Sequence, residues 1–405
     1  MTGRGGLRAA GRGALARVIA AGLVVVAALS GCTPPLVQRA EDDIVEAPST
    51  ARFYEQPRPL PSGGPGALIR SEHIVGSPLG STAWRIMFHS TDLDGRAVVN
   101  TGLVVIPAAK PPAGGRTIVS WGHPTTGVSP KCAPSRAIDP FDLVEGLTDF
   151  LNRRYIVVYT DDTGMGTPGP DSYLIGGTAG RNVLDAARAA RELLKHDASD
   201  RVVLWGHSQG GQAALFAAQL AASYAPELRV LATAVAAPAT DLASLLRADI
   251  GDISGVSISS YAFEAYSTVY SSPLDSILTP AAVAALPAMN RLCLLSQNAA
   301  LHAIAKPLIG RFLTADPETT QPWAGLLAAN TPGAVPIASP LFVAQGEADE
   351  LVRPASTDAF VEHVRSNGTA VTYDRIPGAT HGTIALRALR SLFDWLSAEG
   401  VGATG

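Results

Sequence analysis

The chain has 405 residues, of which 47 % are hydrophobic and 16 % are charged. This composition supplies enough apolar material for a large buried core and excludes an intrinsically disordered chain. The 31 Lys and Arg against 35 Asp and Glu give a net charge of −4, which excludes the cationic footprint of a nucleic-acid-binding protein.

The first 32 residues are typical of an export signal. Residues 1–17 contain four arginines and no acidic residue, and twelve apolar or small residues follow, from Val18 to Leu29. A membrane-spanning helix needs about 20 such residues, so this run is too short. Leu29-Ser30-Gly31-Cys32 resembles the lipobox of bacterial lipoproteins, in which the cysteine is acylated. We therefore predict a lipoprotein signal peptide over residues 1–32 and an exported protein anchored through Cys32 to the bacterial cell membrane or envelope, with simple secretion as the alternative.

Residues 33–66 are rich in Pro, Gly and acidic residues. This composition predicts a flexible tether with no core of its own. Three extended segments follow the tether, and the turn residues between them predict antiparallel pairing. These segments are Leu68–Val75, Ala83–Phe88 and Ala97–Ile106.

Beyond residue 116, short apolar runs alternate with helical stretches. Such alternation predicts βαβ units on a parallel sheet, with right-handed connections and helices on both faces. The predicted strands are Thr117–Trp121, Tyr155–Thr160, Arg201–Trp205, Val230–Ala236, Pro340–Gln345 and Ala370–Ile376. The predicted helices lie near Phe141–Asn152, Ala179–Lys195, Gln209–Tyr224, Ala355–Ser366 and Ile384–Ala398.

The alternation stops within residues 241–332, which show helical patterns and no clear strand. Thr279-Pro280 predicts a helix N-cap followed by proline at the first helical position. We predict a helical cap over residues 241–332, inserted between the two parts of an α/β core, 67–240 and 333–400. Additional core helices without a functional role are the alternative. The helical patterns lie near Ala281–Leu286, Leu292–Ile309 and Trp323–Ala329.

A nucleophile elbow follows the strand that ends at Trp205. Gly206-His207-Ser208-Gln209-Gly210 is a G-x-S-x-G motif between a strand and an Ala-rich helix. The residues two before and two after the serine must lack a Cβ, because strand and helix approach closely there. The turn raises Ser208 Oγ above the sheet edge and directs the Gln209 N–H at an incoming carbonyl oxygen. We predict Ser208 as the nucleophile and Gln209 as an oxyanion donor, and we interpret His207 as a packed side chain.

A serine hydroxyl needs a base to activate it, and the base needs an orienting acid. With this type of elbow the chain order is Ser, then Asp or Glu, then His. Asp349 follows the fifth predicted parallel strand in a G-x-x-D-x-x-V turn and is the predicted acid, with Glu347 and Glu350 as local rivals. His381 lies on a Gly-flanked loop after the last predicted strand and is the predicted base.

The chain has three cysteines, and excluding Cys32 leaves Cys132 and Cys293. Disulfides persist in exported proteins, so we predict one bridge between distant parts of the chain, with two buried thiols as the alternative. The sequence contains neither a CxxC nor an HExxH motif, and it offers no candidate ligands for a zinc site.

Together these residues resemble the α/β-hydrolase superfamily, and within it the secretory lipases, a group with fungal lipase A-type enzymes and many actinobacterial exported esterases. The resemblance spans residues 66–398. The stretches that carry it are Trp121–Gly127, Cys132–Ser135, Tyr155–Asp161, the elbow, the Asp349 turn and the His381 loop. It implies an α/β-hydrolase fold: a mostly parallel sheet with antiparallel entry strands, flanking helices and an inserted helical cap.

The resemblance also implies lipase or carboxylesterase activity on an ester or lipid substrate. It implies a Cys132–Cys293 disulfide. It further implies that Asp161 joins Gln209 in the oxyanion hole, with the Gly122-His123 loop as the alternative second donor. The chain departs from the fungal members at Gln209, where they carry smaller residues.

The sequence therefore predicts an exported, lipid-anchored serine hydrolase that cleaves carboxylic esters without a cofactor or a metal. A literal G-x-G-x-x-G, residues 164–169, is rejected as a dinucleotide site, because Pro168 removes an N–H and no helix is predicted to begin there. A peptidase or thioesterase on the same fold is one alternative, because a fold does not determine the leaving group. A catalytically silent hydrolase-fold binding protein of the envelope is another.

Overall fold

The computed structural model describes Met1 and residues 48–402. The predicted signal peptide, the lipobox Cys32 and the first part of the tether lie outside the described residues. Within them the structure contains nine strands, which we number in chain order. They are β1 (Leu68–Ile74), β2 (Ser81–Thr91), β3 (Ala97–Pro107), β4 (Arg116–Gly122), β5 (Ile156–Thr160), β6 (Ala198–His207), β7 (Arg229–Ala236), β8 (Leu341–Gly346) and β9 (Val371–Ile376).

The strands form one mixed sheet in the order β1-β2-β3-β5-β4-β6-β7-β8-β9. Neighbouring strands in the run β1-β2-β3-β5 pair antiparallel, and those in the run β5-β4-β6-β7-β8-β9 pair parallel. This architecture confirms the predicted α/β-hydrolase fold with antiparallel entry strands. The strand order reverses at β4, which pairs with both β5 and β6. In open α/β sheets such a reversal leaves a crevice at the carboxyl ends of the strands, where ligands bind.

Twelve α-helices accompany the sheet in the part of the chain that the structure describes. Those of the core segments are α1 (Pro48–Phe53), α2 (Leu147–Asn152), α3 (Gly176–Leu194), α4 (Gln209–Tyr224), α10 (Pro354–Ser366), α11 (His381–Arg387) and α12 (Leu389–Ala398). Those between β7 and β8 are α5 (Leu242–Asp249), α6 (Ile253–Tyr270), α7 (Pro280–Met289), α8 (Asn298–Ala305) and α9 (Trp323–Ala329).

Both faces of the sheet are covered by helices. On β6, Val202 and Leu204 join a buried cluster with α3, α4 and α10, whereas Val203 and Trp205 join a second cluster with α2, α11 and α12. Successive strand residues point to opposite faces, so a strand between two helical layers is apolar throughout. Burying each such Val or Leu stabilises the fold by about 1.5–3 kcal/mol. The central strands therefore form a rigid platform for the loops at their carboxyl ends.

The insertion packs in a hydrophobic cluster that also includes Val128 and residues 173–175 of the core. Its longest helix, α6, is not among the predicted helices, since Ile253–Tyr270 is rich in β-branched and aromatic residues of modest helix propensity. Tyr261, Phe263 and Tyr266 are fully buried in this cluster, so tertiary burial sustains the helix. At the start of α7 the Thr279 side chain accepts a hydrogen bond from the Ala282 N–H, with Pro280 at the first position, as the sequence predicts.

Three predicted helices differ in extent from the observed ones. The first begins at Leu147 rather than Phe141, and residues 292–309 form a helix only over Asn298–Ala305, because Cys293 is bonded within a loop. The last begins at His381, where Thr380 and Thr383 form a reciprocal capping box. Among residues 48–402 no helix is both long enough and apolar enough to cross a bilayer.

The tether prediction is wrong over residues 48–54. Helix α1 lies within the predicted tether, and Phe53 and Tyr54 are only 3 % and 4 % exposed. Both rings pack beside Met87 of β2, and the Arg85 guanidinium lies 5.8 Å from each ring centroid. Two aromatic residues bury enough apolar surface to order a segment, which overrides the Pro- and Gly-rich composition.

Candidate active site

The nucleophile elbow has a close-packed geometry that requires glycine on both sides of Ser208. Ser208 follows β6 directly, precedes α4 and adopts φ 56° and ψ −119°. Such a conformation is strained for a residue with a side chain and is typical of functional turns. A Cβ on Gly206 would lie 2.1 Å from Gly210 O, and one on Gly210 would lie 2.0 Å from Gly122 O. Glycine therefore brings β4, β6 and α4 together beneath the serine.

The structure brings Ser208, His381 and Asp349 together from three separate loops. His381 Nε2 lies 2.9 Å from Ser208 Oγ, and His381 Nδ1 lies 2.8 Å from Asp349 Oδ2. In sequence His381 is 173 residues from Ser208 and 32 from Asp349. This chain of hydrogen bonds can carry a proton from the hydroxyl to the imidazole while the carboxylate holds the ring in one tautomer.

Asp349 is fixed by its own turn. Its Oδ1 accepts hydrogen bonds from the N–H groups of Leu351 and Val352 at 2.9 and 2.8 Å, which leaves Oδ2 for the imidazole. The two rival carboxylates, Glu347 and Glu350, are exposed, and Glu347 forms an ion pair with an arginine. The geometry thus favours Asp349 among the three acidic residues of this turn.

Burial sets the electrostatics of the imidazole. The pKa of His381 is lowered from its ordinary value, chiefly because burial penalises the charged ring, and the charge of His207 lowers it further. The hydrogen bond and the charge of Asp349, together with the charge of Glu145, act in the opposite direction. A lowered pKa keeps His381 neutral at neutral pH, which is the form that accepts a proton.

The two predicted oxyanion residues differ in what they can donate. Gln209 is the first residue of α4, where an N–H has no acceptor within the helix. The N–H of Asp161, in contrast, already donates to Thr101 O at 2.8 Å. Its buried carboxylate accepts from the N–H and hydroxyl of Ser135 and from Thr101 Oγ1. Asp161 thus has no donor free for a substrate, and we correct its assignment to a residue that ties β5 to the loop after β4.

The alternative loop, after β4, lies against the elbow. Thr125 lines the same cavity as Ser208 and Gln209. Asp162 Oδ2 accepts from the Gln209 side-chain amide at 3.1 Å and lies 3.6 Å from His123 Nε2. Burial raises the pKa of Asp162 to about 6. The Gln209 side chain is thus held by this buried carboxyl.

A cavity opens at Ser208. Its wall is mainly apolar and comes largely from the helices between β7 and β8. The residues from those helices that line the cavity are Leu242, Leu245, Leu246, Asp249, Gly255, Ile258, Ser259, Ala262, Phe263, Tyr266 and Leu327. An apolar cavity with a few polar groups at one end is the usual form of a small-molecule site.

A disulfide joins Cys132 and Cys293. It links the loop after β4 to the insertion, and a Cβ on Gly127 would lie 2.7 Å from the sulfur of Cys132. The insertion is therefore covalently attached to the core. Among residues 48–402 no group of three or more His, Cys, Asp or Glu side chains is arranged to hold a metal ion.

Two residues beside Ser208, His381 and Asp349 carry no recognisable signal of a shared site in the sequence. Glu145 was not singled out, and His207 was interpreted as a packed side chain. In the structure His207 Nδ1 lies 2.8 Å from Glu145 Oε1, and the His207 and His381 rings are 4.9 Å apart. Glu145 and His207 are separated by 62 positions in the sequence, so no local pattern predicts that they pair.

Comparison with known proteins agrees with this geometry. The family model described as secretory lipase matches residues 144–402, which is more than half of the chain. Lipase A of Arthroderma benhamiae is 25 % identical over 383 residues, covering 86 % of this chain and 79 % of that protein. Lipase A of Moesziomyces aphidis is 27 % identical over 193 residues, covering 44 % of this chain and only 40 % of that protein.

The fold has a close counterpart among solved structures. Candida antarctica lipase A in its closed state superposes with a TM-score of 0.71, at 20 % identity and with 88 % of each chain covered. At this identity the structural match shows a shared fold. The match to the family model over residues 144–402 shows that the relationship is also present in the sequence. The chain therefore belongs to the secretory lipase family.

Proposed function

We propose that this protein is an exported serine hydrolase that cleaves carboxylic esters with an apolar acyl chain. The observation that supports this most directly is the hydrogen-bonded relay from Ser208 through His381 to Asp349, which lies at an apolar cavity. Family membership supports the same reading. The chain matches only part of some lipases, so the activity is inferred from the site itself.

In the proposed reaction Ser208 Oγ attacks the ester carbonyl as His381 Nε2 takes its proton. Asp349 accepts the Nδ1–H and stabilises the imidazolium that forms. The tetrahedral intermediate collapses when His381 returns the proton to the leaving alcohol, which leaves an acyl ester on Ser208. A water molecule, deprotonated by the same imidazole, then attacks the acyl-enzyme and releases the carboxylic acid.

Charge that develops on the carbonyl oxygen needs donors already in place. We propose the Gln209 N–H as one donor, aided by the positive end of the α4 dipole. The second donor is assigned to the loop after β4, since Gly122 contacts Gly210 and Thr125 lines the cavity. Removing one such donor typically costs about 10²–10³ in kcat.

The helices of residues 241–332 are proposed to act as a cap that holds the acyl chain. Each methylene moved from water into an apolar cavity gains about 0.8 kcal/mol, or about fourfold in kcat/KM. Hydrolysis of p-nitrophenyl esters should therefore accelerate from acetyl to butyryl to hexanoyl and level off when the cavity is full. A flat profile, or amide turnover equal to ester turnover, would indicate a peptidase instead.

The catalytic assignment is tested by paired substitutions. Ser208→Ala should lower kcat about 10⁶-fold and Asp349→Asn about 10⁴-fold, whereas Ser366→Ala, at an exposed position of α10, and Glu347→Gln serve as matched controls. A fluorophosphonate should label wild type but not Ser208→Ala. Absence of labelling on folded wild type would favour a silent binding protein, and collapse of Glu347→Gln alone would overturn the acid assignment.

We further propose that the exported protein is anchored by acylation of Cys32, on the basis of the lipobox-like sequence. Cys32→Ser should release the protein from the membrane fraction or leave an unprocessed precursor. Wild-type processing and fractionation of the variant would favour simple secretion.

A further inference from the structure

A second acid–imidazole pair lies directly beside the catalytic one. His207 Nδ1 lies 2.8 Å from Glu145 Oε1; the His207 side chain is 5 % exposed and that of Glu145 is 12 % exposed. The His207 and His381 ring centroids are 4.9 Å apart at an interplanar angle of 41°. Glu145, His207 and His381 thus form a continuous row of contacts that ends at the base of the proposed reaction.

Glu145 is held rigidly in this row. Its Oε2 accepts the indole N–H of Trp121 at 2.9 Å, and its backbone oxygen accepts the indole N–H of Trp205 at 3.0 Å. Both tryptophans are fully buried on adjacent central strands. A carboxylate taken out of water is stable only when it is hydrogen-bonded and paired, and this one is bonded to Trp121 and His207 while Trp205 holds its backbone. It therefore presents a fixed charge to the imidazoles.

The pair is distinct from the Asp349 interaction. Asp349 contacts His381 at Nδ1 through its own turn after β8, whereas the ring of His207, at the end of β6, lies 4.9 Å from the His381 ring. The titratable groups that act on His381 are Asp349, His207 and Glu145. Among the described residues, His207 Nε2 is buried without a hydrogen-bond partner, so Glu145 alone orients the His207 ring by hydrogen bonding.

We propose that Glu145 and His207 are positioning residues that hold the His381 ring and set the pH range in which it accepts a proton. This inference rests on the proposed function of Ser208 and His381. Charge on the neighbouring His207 ring disfavours the imidazolium form of His381, because like charges repel. A nearby carboxylate has the opposite effect, since it favours the imidazolium.

The two substitutions should shift the acid limb of the kcat/KM–pH profile in opposite directions. Glu145→Gln removes a charge that raises the pKa of His381, so the limb should move to lower pH by about half a unit or more. His207→Gln removes a charge that lowers that pKa, so the limb should move to higher pH. The double variant should lie between them. Loss of packing alone would lower kcat without producing opposite shifts.

The experiment measures p-nitrophenyl butyrate hydrolysis and, separately, the NMR titration of the His381 ring in the same proteins. Glu362→Gln, an exposed carboxylate on α10, is the control and should shift neither. Opposite shifts in the NMR titration of a protein without esterase activity would support the pair and refute the proposed function. Unchanged titration or shifts of the same sign would overturn the pair, and His207→Gln alone decides the question if Glu145→Gln does not fold.

Discussion

Removing the Cys132–Cys293 bond should lower the free energy of unfolding substantially. The bond closes a sequence separation of 161 residues and joins the core to the insertion. Both cysteines are buried, at 6 % exposure each. The two loops also meet through their backbones, since the Leu294 N–H donates to Thr126 O at 2.8 Å. The perturbation is the double variant Cys132→Ala/Cys293→Ala.

The expected loss follows from the length of the closed loop. A cross-link over 161 residues removes about 17 cal/mol/K of entropy from the unfolded chain, or about 5 kcal/mol at 25 °C. Bonds of this kind typically contribute about 2–4 kcal/mol. We therefore expect the double variant to lose about 2–5 kcal/mol.

The assay is equilibrium urea unfolding followed by tryptophan fluorescence, with and without dithiothreitol. The reductant should lower the midpoint of wild type toward that of the double variant and leave the variant itself unchanged. Equal midpoints for oxidised wild type and the variant would refute the reasoning. Alkylation of both thiols in unreduced wild type would refute the bond itself.

Three further substitutions test other parts of the structure. Gly210→Ala places a Cβ 2.0 Å from Gly122 O, so kcat/KM should fall about 10²-fold through displacement of the elbow, while Gly251→Ala, which meets no atom within 4 Å, should behave as wild type. Burial raises the pKa of Asp249 to about 7, so the free energy of unfolding is higher at acid pH and falls as the pH rises toward and through 7. Asp249→Asn should therefore raise Tm by about 2 °C relative to wild type at pH 8. An equal rise in Tm at pH 5 would contradict this explanation. Asp161→Asn should cost about 1–3 kcal/mol of stability while the folded enzyme keeps its kcat; a large fall in kcat at unchanged stability would return Asp161 to the oxyanion hole.

Local patterns in the sequence are sufficient to predict much of the fold. Three kinds of feature depend on only a few neighbouring residues: the apolar runs of the central strands, the glycines around Ser208 and the Thr279-Pro280 cap. A short stretch of sequence is therefore enough to predict each of them. The order of elbow, Asp349 turn and His381 loop was also visible, because each follows a strand and parallel strands end at the same edge of a sheet. The sequence thus predicted the fold class and the three residues that the structure brings into hydrogen-bonding contact.

Features that depend on contacts between distant segments were decided only by the tertiary structure. Burial of Phe53 and Tyr54 against β2 orders a segment whose composition predicts a tether. The Asp161 N–H donates to Thr101 O, and its carboxylate accepts from Thr101 and Ser135, 60 and 26 residues away. The contact of Glu145 with His207 likewise spans 62 residues. A side chain's chemistry is set by its neighbours, and for these residues the neighbours are brought together by packing of the sheet and its helices, which no short stretch of sequence encodes.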